Sequence, residues 1–235
     1  MKKAILHWST GKDAAYALYQ ISQRNEYDVV QLSTSVQQQY DRVSMHGIRR
    51  ELLLRQVAAL KTALPVDIIE MPTPLTNQQY EALMQERCMT YKTQGIVNHI
   101  FGDILLEDLK VFREGQLSKL GLIAVFPLWK KPTASLLIEM IEAGFKALVI
   151  CVNETYLDKS FLGRTIDSDF LNDLPEGVDP CGEYGEFHTF VYDGPLFKKS
   201  VEFQLGDAVY KTYDAPQTED GAPAQKRGFW FLDLL

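Results

Sequence analysis

The sequence predicts an α/β protein: a doubly wound, five-stranded parallel sheet followed by a smaller α+β domain. Three observations carry this. In the first half, short apolar β-branched runs alternate with stretches whose apolar residues recur at helical spacing. That alternation calls for crossover connections, hence parallel strands with helices on both faces. Past residue 128 the alternation gives way to strand-like segments separated by turn residues, the pattern of antiparallel pairing.

The elements follow in order. "AILHW" is an apolar strand, and Ala14, Ala17, Leu18 and Ile21 then fall on one helical face. "DVVQLSTSV" is the second strand. After a polar loop through Gln37–Asp41, a helix starts near Gly47 with Leu53, Val57, Leu60 and Leu64 as its buried stripe, and Pro65 helps to end it. "VDIIEM" is the third strand; Thr76 or Asn77 caps a helix that stops at Gly95. "VNHIFGDI" and "LIAVFPL" are strands four and five, with the helix "LLEDLKVFREGQLSKL" between them. Beyond a boundary near Leu128, Pro132 opens a helix that closes at Gly144, with Ala134, Leu137, Ile138 and Ile141 inward. "KALVICV", "EFHTFVY", "SVEFQL", "AVYKTY" and "GFWFLDLL" read as strands. Asp193-Gly194-Pro195 and Gly206-Asp207 read as turns, and Asp214–Gln225 as a loose loop. Two domains are expected, 1–128 and 129–235.

Composition narrows the function. The chain has 235 residues, 46% hydrophobic and 23% charged, a normal balance for a globular protein. A net charge of -7 argues against broad nucleic-acid binding. Cys88, Cys151 and Cys181 lie far apart and form no Cys-x-x-Cys pair, so no zinc or disulfide framework is readable. The apolar part of the N-terminal strand is too short for a signal-peptide core, and no run is long enough to span a membrane. A cytoplasmic protein is expected.

The first strand breaks into Ser9-Thr10-Gly11-Lys12-Asp13 at the start of a helix. In a doubly wound sheet ligands bind at the carboxyl ends of the strands, and a helix N-terminus favours an anion. Gly11 allows close backbone approach, and Lys12 supplies a cation. Neither a G-x-x-x-x-G-K-[ST] nor a G-x-G-x-x-G pattern is present. From these residues alone, two readings stay open: a phosphate loop, or a helix start capped by Ser9 or Asp13.

"STGKDA" resembles the S-G-G-K-D-S pyrophosphate loop (PP-loop) of the N-type ATP pyrophosphatases, whose nucleotide-binding domain is Rossmann-like. Further on, "PLW" (Pro127–Trp129), "EMIEAGF", "FLGRTID" and "CGEYGEFHTFVYDGPLF" (Cys181–Phe197) resemble the diphthine–ammonia ligase family, and the likeness runs from about Ala4 to Phe203. Thr10 stands where that family usually has glycine, and Ala14 where it usually has serine. The resemblance implies an ATP-dependent ligase. A substrate carboxylate attacks the α-phosphate and releases pyrophosphate; ammonia, or another amine donor, then displaces AMP and leaves an amide. It further implies ATP and Mg²⁺ as cofactors, with Lys12 neutralising the phosphates and Ser9 and the Gly11 N–H holding pyrophosphate beside Thr10. Asp13 and Asp103 are the candidate Mg²⁺ carboxylates. The competing role of each is capping the helix that follows.

Other positions join the candidate site. Thr34 at the end of the second strand would lie beside the adenosine, and Gly102 would leave room for the nucleotide. His46 precedes a helix on the ligand edge, whose first-turn Arg49 and Arg50 run against the dipole and so favour a local anionic partner. Glu183 and Glu186, in a glycine-flanked loop, suit a cationic acceptor or deprotonation of ammonium, with Tyr184 as an aromatic face for a quaternary amine. Glu183, Glu186 and His188 match no standard metal spacing. The acceptor is diphthine on elongation factor 2 if the source is archaeal or eukaryotic, and another carboxylate if it is bacterial. A non-catalytic adenine-nucleotide-binding protein is the alternative.

Overall fold

A computed structural model of the chain describes residues 1–214 and 226–235. The first half runs β1 (Lys2–His7), α1 (Lys12–Ser22), β2 (Tyr27–Gln37), β3 (Arg42–Val43), α2 (Arg50–Ala59), β4 (Val66–Met71), α3 (Asn77–Thr93), β5 (Asn98–Ile100), α4 (Glu107–Lys119) and β6 (Ile123–Val125). Five parallel strands form the sheet, in the order β4-β2-β1-β5-β6. The two-residue β3 adds an antiparallel pairing at the end of β2. Connections leave β1 toward β2 on one side, while β5 lies on its other side, so the carboxyl end of β1 sits at the topological switch point.

The second half runs α5 (Thr133–Glu142), β7 (Lys146–Asn153), α6 (Ser168–Asp173), β8 (Phe187–Asp193), β9 (Leu205–Asp214) and β10 (Lys226–Leu234). Its four strands pair antiparallel in the order β8-β7-β10-β9. One cluster of buried side chains runs from Ala4 and Leu6 of β1 through Leu136 and Leu137 of α5 to Val149 and Phe190, so the two sheets share a core.

Several expectations are corrected. α2 begins at Arg50, because Gly47 with φ 72° closes a tight turn with Val43. The buried face of α5 is Leu136, Leu137 and Met140, while Ala134 and Ile138 are exposed. That helix is apolar on more than one face, so periodicity alone does not choose between stripes. "SVEFQL" is irregular up to Gln204, and Gly206-Asp207 lies inside β9, with Gly206 packed against Asp233 instead of turning. The segment read as a loose loop lies outside the described residues from 215 to 225. Thr76 caps α3 with a full capping box through Gln79, as expected.

Candidate functional site

A cleft of about 970 Å³ opens over the carboxyl ends of β1, β2, β4 and β5 and is walled on the far side by residues 181–189. Its floor is the Ser9–Asp13 turn. α1 starts with Gly11 as its N-cap residue, which has no side chain to cap it, so the positive end of the helix faces the cleft. Ser9 Oγ accepts the Gly11 N–H at 3.3 Å. Asp13 does not cap the helix: both its oxygens lie 3.0 Å from Lys12 Nζ.

Lys12 is 3% exposed, and its ammonium also donates to the Cys181 carbonyl and lies over the Phe187 ring. Burial acts to lower its pKa, but the Asp13 carboxylate outweighs this and holds it above the ordinary value. Asp13 is pushed up by burial and by Asp179 and Asp103, against the pull of Lys12. The turn is thus a buried charge pair bound to the second half of the chain. The Lys12 N–H donates to Thr189 Oγ1 at 3.1 Å, and Thr10 O accepts from the Val191 N–H at 3.0 Å.

Gln56 completes this clamp. Fully buried in α2, it donates to Thr10 O and Val191 O and accepts from Trp8 Nε1. Nothing in the local sequence marks it; a polar residue on the inward face of a helix whose apolar stripe is Leu53 and Val57 is the one available signal. Thr10 adopts φ 73°, in the left-handed region, and its buried hydroxyl has no partner. The glycines serve packing. A Cβ at Gly11 would come 2.6 Å from His46 Cε1, and one at Gly102 would come 2.8 Å from the Asp13 backbone. Gly102 therefore makes room for the start of α1, and it also lines the cleft.

His46 accepts from no charged group; its Nδ1 is 3.1 Å from Thr189 O and its ring lies 4.8 Å from that of His188. Burial lowers the pKa of His46 to about 3 and that of His188 to about 4, so both imidazoles are neutral. Thr34 points away from the cleft and donates to Trp8 O, while Ser33, Ser35 and Gln37 face it, as the two-residue period of a strand requires. Arg49 pairs with Asp233, and Arg50 with Asp41 and Glu70, so both first-turn arginines have anionic partners.

The carboxylates of the far wall mostly hold backbone. Glu183 Oε1 accepts the N–H groups of Ile104 and Leu105, both at 2.8 Å, and burial raises its pKa. Glu186 is 1% exposed and accepts from the N–H groups of Asp179 and Tyr184, so it does not line the cleft. Asp179, unmarked in the sequence, accepts from the N–H groups of Cys181 and Glu183 and from the Thr133 hydroxyl. Asp103 does not cap α4; it lines the cleft paired with Arg113 at 3.0 Å. Among the described residues, no group of three or more His, Cys, Asp and Glu forms a metal cluster of its own.

A family model for the diphthamide synthase C-terminal domain matches residues 132–217, the half that forms this far wall. Diphthine–ammonia ligase of Homo sapiens is 30% identical over 155 residues, covering 64% of this chain and 58% of that protein. The enzyme of that name from Rattus norvegicus is 36% identical over 119 residues, covering 48% of this chain and 45% of the relative. The chain is thus similar to diphthine–ammonia ligases over much of its length, with the family model confined to its second half. It spans about half the length of these curated relatives. A diphthine–ammonia ligase of Schizosaccharomyces pombe is 37% identical over 92 residues, only 15% of its own length. The architecture is α/β, a mostly parallel sheet beside an antiparallel one. No helix among the described residues is long and apolar enough to cross a membrane.

Proposed function

We propose that this chain is an ATP-dependent amide-forming ligase. It activates a carboxylate by adenylation with release of pyrophosphate, and ammonia then displaces AMP. The observation that carries the reading is the uncapped start of α1, with the buried, charged Lys12, facing a cleft at the switch point of the parallel sheet. Names of the relatives support diphthine as the carboxylate and ammonia as the amine. Residues 1–128 hold the nucleotide and 129–235 the acceptor, in a cytoplasmic enzyme.

In this reading the triphosphate lies over Ser9, Gly11 and Lys12, whose donors stabilise charge on the departing pyrophosphate. Ser33, Ser35 and Gln37 face the adenosine in place of Thr34. Asp13 and Asp103 both line the cleft, and the Gly102 backbone packs directly on that of Asp13. Two carboxylates beside a phosphate site fit Mg²⁺, which favours one or two carboxylates plus phosphate oxygens and neutralises the reacting phosphates when bound. Glu183 lines the acceptor side, and Glu186 is a positioning residue that shapes the loop carrying it. The neutral rings of His46 and His188 keep cationic competition away from Lys12.

The test is product analysis with labelled ATP, ammonium and elongation factor 2 bearing diphthine. AMP and pyrophosphate, formed only with acceptor and ammonium together, are expected. ADP and phosphate as products would overturn the reading. Nucleotide binding without cleavage for any carboxylate acceptor would favour the non-catalytic alternative, to which Thr10 and Ala14 would then belong.

A further inference from the structure

The antiparallel sheet ends in two unlike edges. The outer edge of β8 is covered: the Val191 N–H donates to Thr10 O, and Tyr192 O accepts from the Val201 N–H. The other edge is β9, ten residues long, the longest edge strand of either sheet. It has no proline, and its only irregularity of pairing with β10 lies at the Leu205 end. Val209 is 46% exposed and Tyr213 50%, both on one face by the two-residue period, and Lys211 lies between them on that face. A long edge that is regular from Ala208 to Asp214 and carries exposed apolar side chains is a template for another strand.

We propose that two copies of this chain pair through β9, antiparallel and in register about Val209, joining the two antiparallel sheets into one. The sequence of the strand is complementary to itself in that register alone. A two-fold axis at Val209 sets Asp207 against Lys211 of the second copy, and Lys211 against its Asp207. Val209 then meets Val209. On the opposite face small meets large, Ala208 against Tyr210. Moving the axis to Ala208 or Tyr210 sets both charged residues against apolar ones. Lysine on an edge strand ordinarily repels a partner strand; here a matching aspartate two residues before Val209 answers the lysine two residues after it. Neither Asp207 nor Lys211 has an ion-pair partner within the chain among the described residues.

Sedimentation velocity of the full chain over a range of micromolar concentrations tests this. The wild type is expected at twice the chain mass of 26.8 kDa. Asp207→Lys and Lys211→Asp each set like charges opposite one another twice, and each should weaken the dimer by about tenfold or more. The double variant Asp207→Lys/Lys211→Asp should return it to within about threefold of wild type, since the pairs are restored with reversed sign. Val209→Pro should give monomer, because proline at the axis removes a donor and blocks the edge. Asp207 and Lys211 are exposed, so circular dichroism and melting of the charge variants should match the parent. A monomeric wild type, a dimer indifferent to Asp207→Lys, or a double variant that stays monomeric would each overturn the proposal.

Discussion

The two walls of the cleft use the same residue types for different work. On the wall that begins α1, charge faces inward to the ligand space: Lys12 and Asp13 form a pair beside an uncapped helix end. On the wall formed by residues 179–189, the carboxylates of Asp179 and Glu186, and one oxygen of Glu183, are spent on backbone N–H groups. In the proposed function the first wall meets an anion, and the hydrogen bonds of the second hold a loop against the first. The lesson is that a carboxylate in a glycine-flanked loop is as readily a scaffold as a catalyst, and its hydrogen bonds tell which.

Breaking the scaffold should cost most. Glu186→Ala leaves the N–H groups of Asp179 and Tyr184 buried without an acceptor, a loss of about 3 kcal/mol for a charged acceptor. Turnover should fall about 100-fold, measured at saturating ATP and acceptor. Lys12→Ala should weaken ATP binding at least ~10-fold, since a charge-assisted phosphate contact contributes about 1.5–3 kcal/mol. It should also lower the melting temperature. From the sequence little change in stability is expected on losing this lysine, but the ammonium is buried and holds the Cys181 carbonyl. Calorimetry and thermal melts separate the two effects.

A purely structural joint lies between the walls. Gln56→Leu removes three buried hydrogen bonds and strands the Trp8 indole N–H, so stability should drop by about 2–3 kcal/mol in urea unfolding. A drop in ATP affinity with unchanged stability would instead make Gln56 part of the ligand contact.

Acid should loosen the same region. All four histidines, His7, His46, His99 and His188, have pKa values lowered chiefly by burial from the ordinary 6.5, to about 3 for His46 and about 4 for His99 and His188. Between pH 6.5 and those values the unfolded chain binds more protons than the folded one. Stability is therefore complete above pH 6.5 and lost progressively as pH falls toward 4. Melting temperatures across that window should fall steeply, and His46→Gln should flatten the slope. The smallest effect is expected at Thr10. A β-branched residue in the left-handed region costs roughly 1–2 kcal/mol, offset in part by the chain entropy of glycine, so Thr10→Gly should raise stability by up to about 1 kcal/mol. ATP affinity should stay within about threefold.

The fold was legible because its signal is local. Apolar runs broken by helical spacing mark each parallel strand, and Thr76 with Gln79 marks a capped helix start. The turn after β1 was legible as a helix N-terminus bearing a lysine. What was not legible depends on contacts distant along the chain. Gln56 reaches Val191 across 135 positions, and Glu183 reaches Ile104 across 79. No periodicity encodes either. Which face of β2 meets the cleft was not legible for a simpler reason: tertiary packing sets it, and Ser33 and Ser35 take that side while the Thr34 hydroxyl donates to Trp8 O.

The central claim is that the two walls make one nucleotide site. The most direct measurement is calorimetric titration of α,β-methylene ATP into the wild type and into Glu186→Ala, with a thermal melt of each. Glu186 does not itself line the cleft, so any effect on the nucleotide must pass through the loop that it holds. The account predicts binding at least about tenfold weaker in a variant that still melts cooperatively. Equal affinity in the two proteins would contradict it, because the phosphate turn would then be complete without the wall opposite.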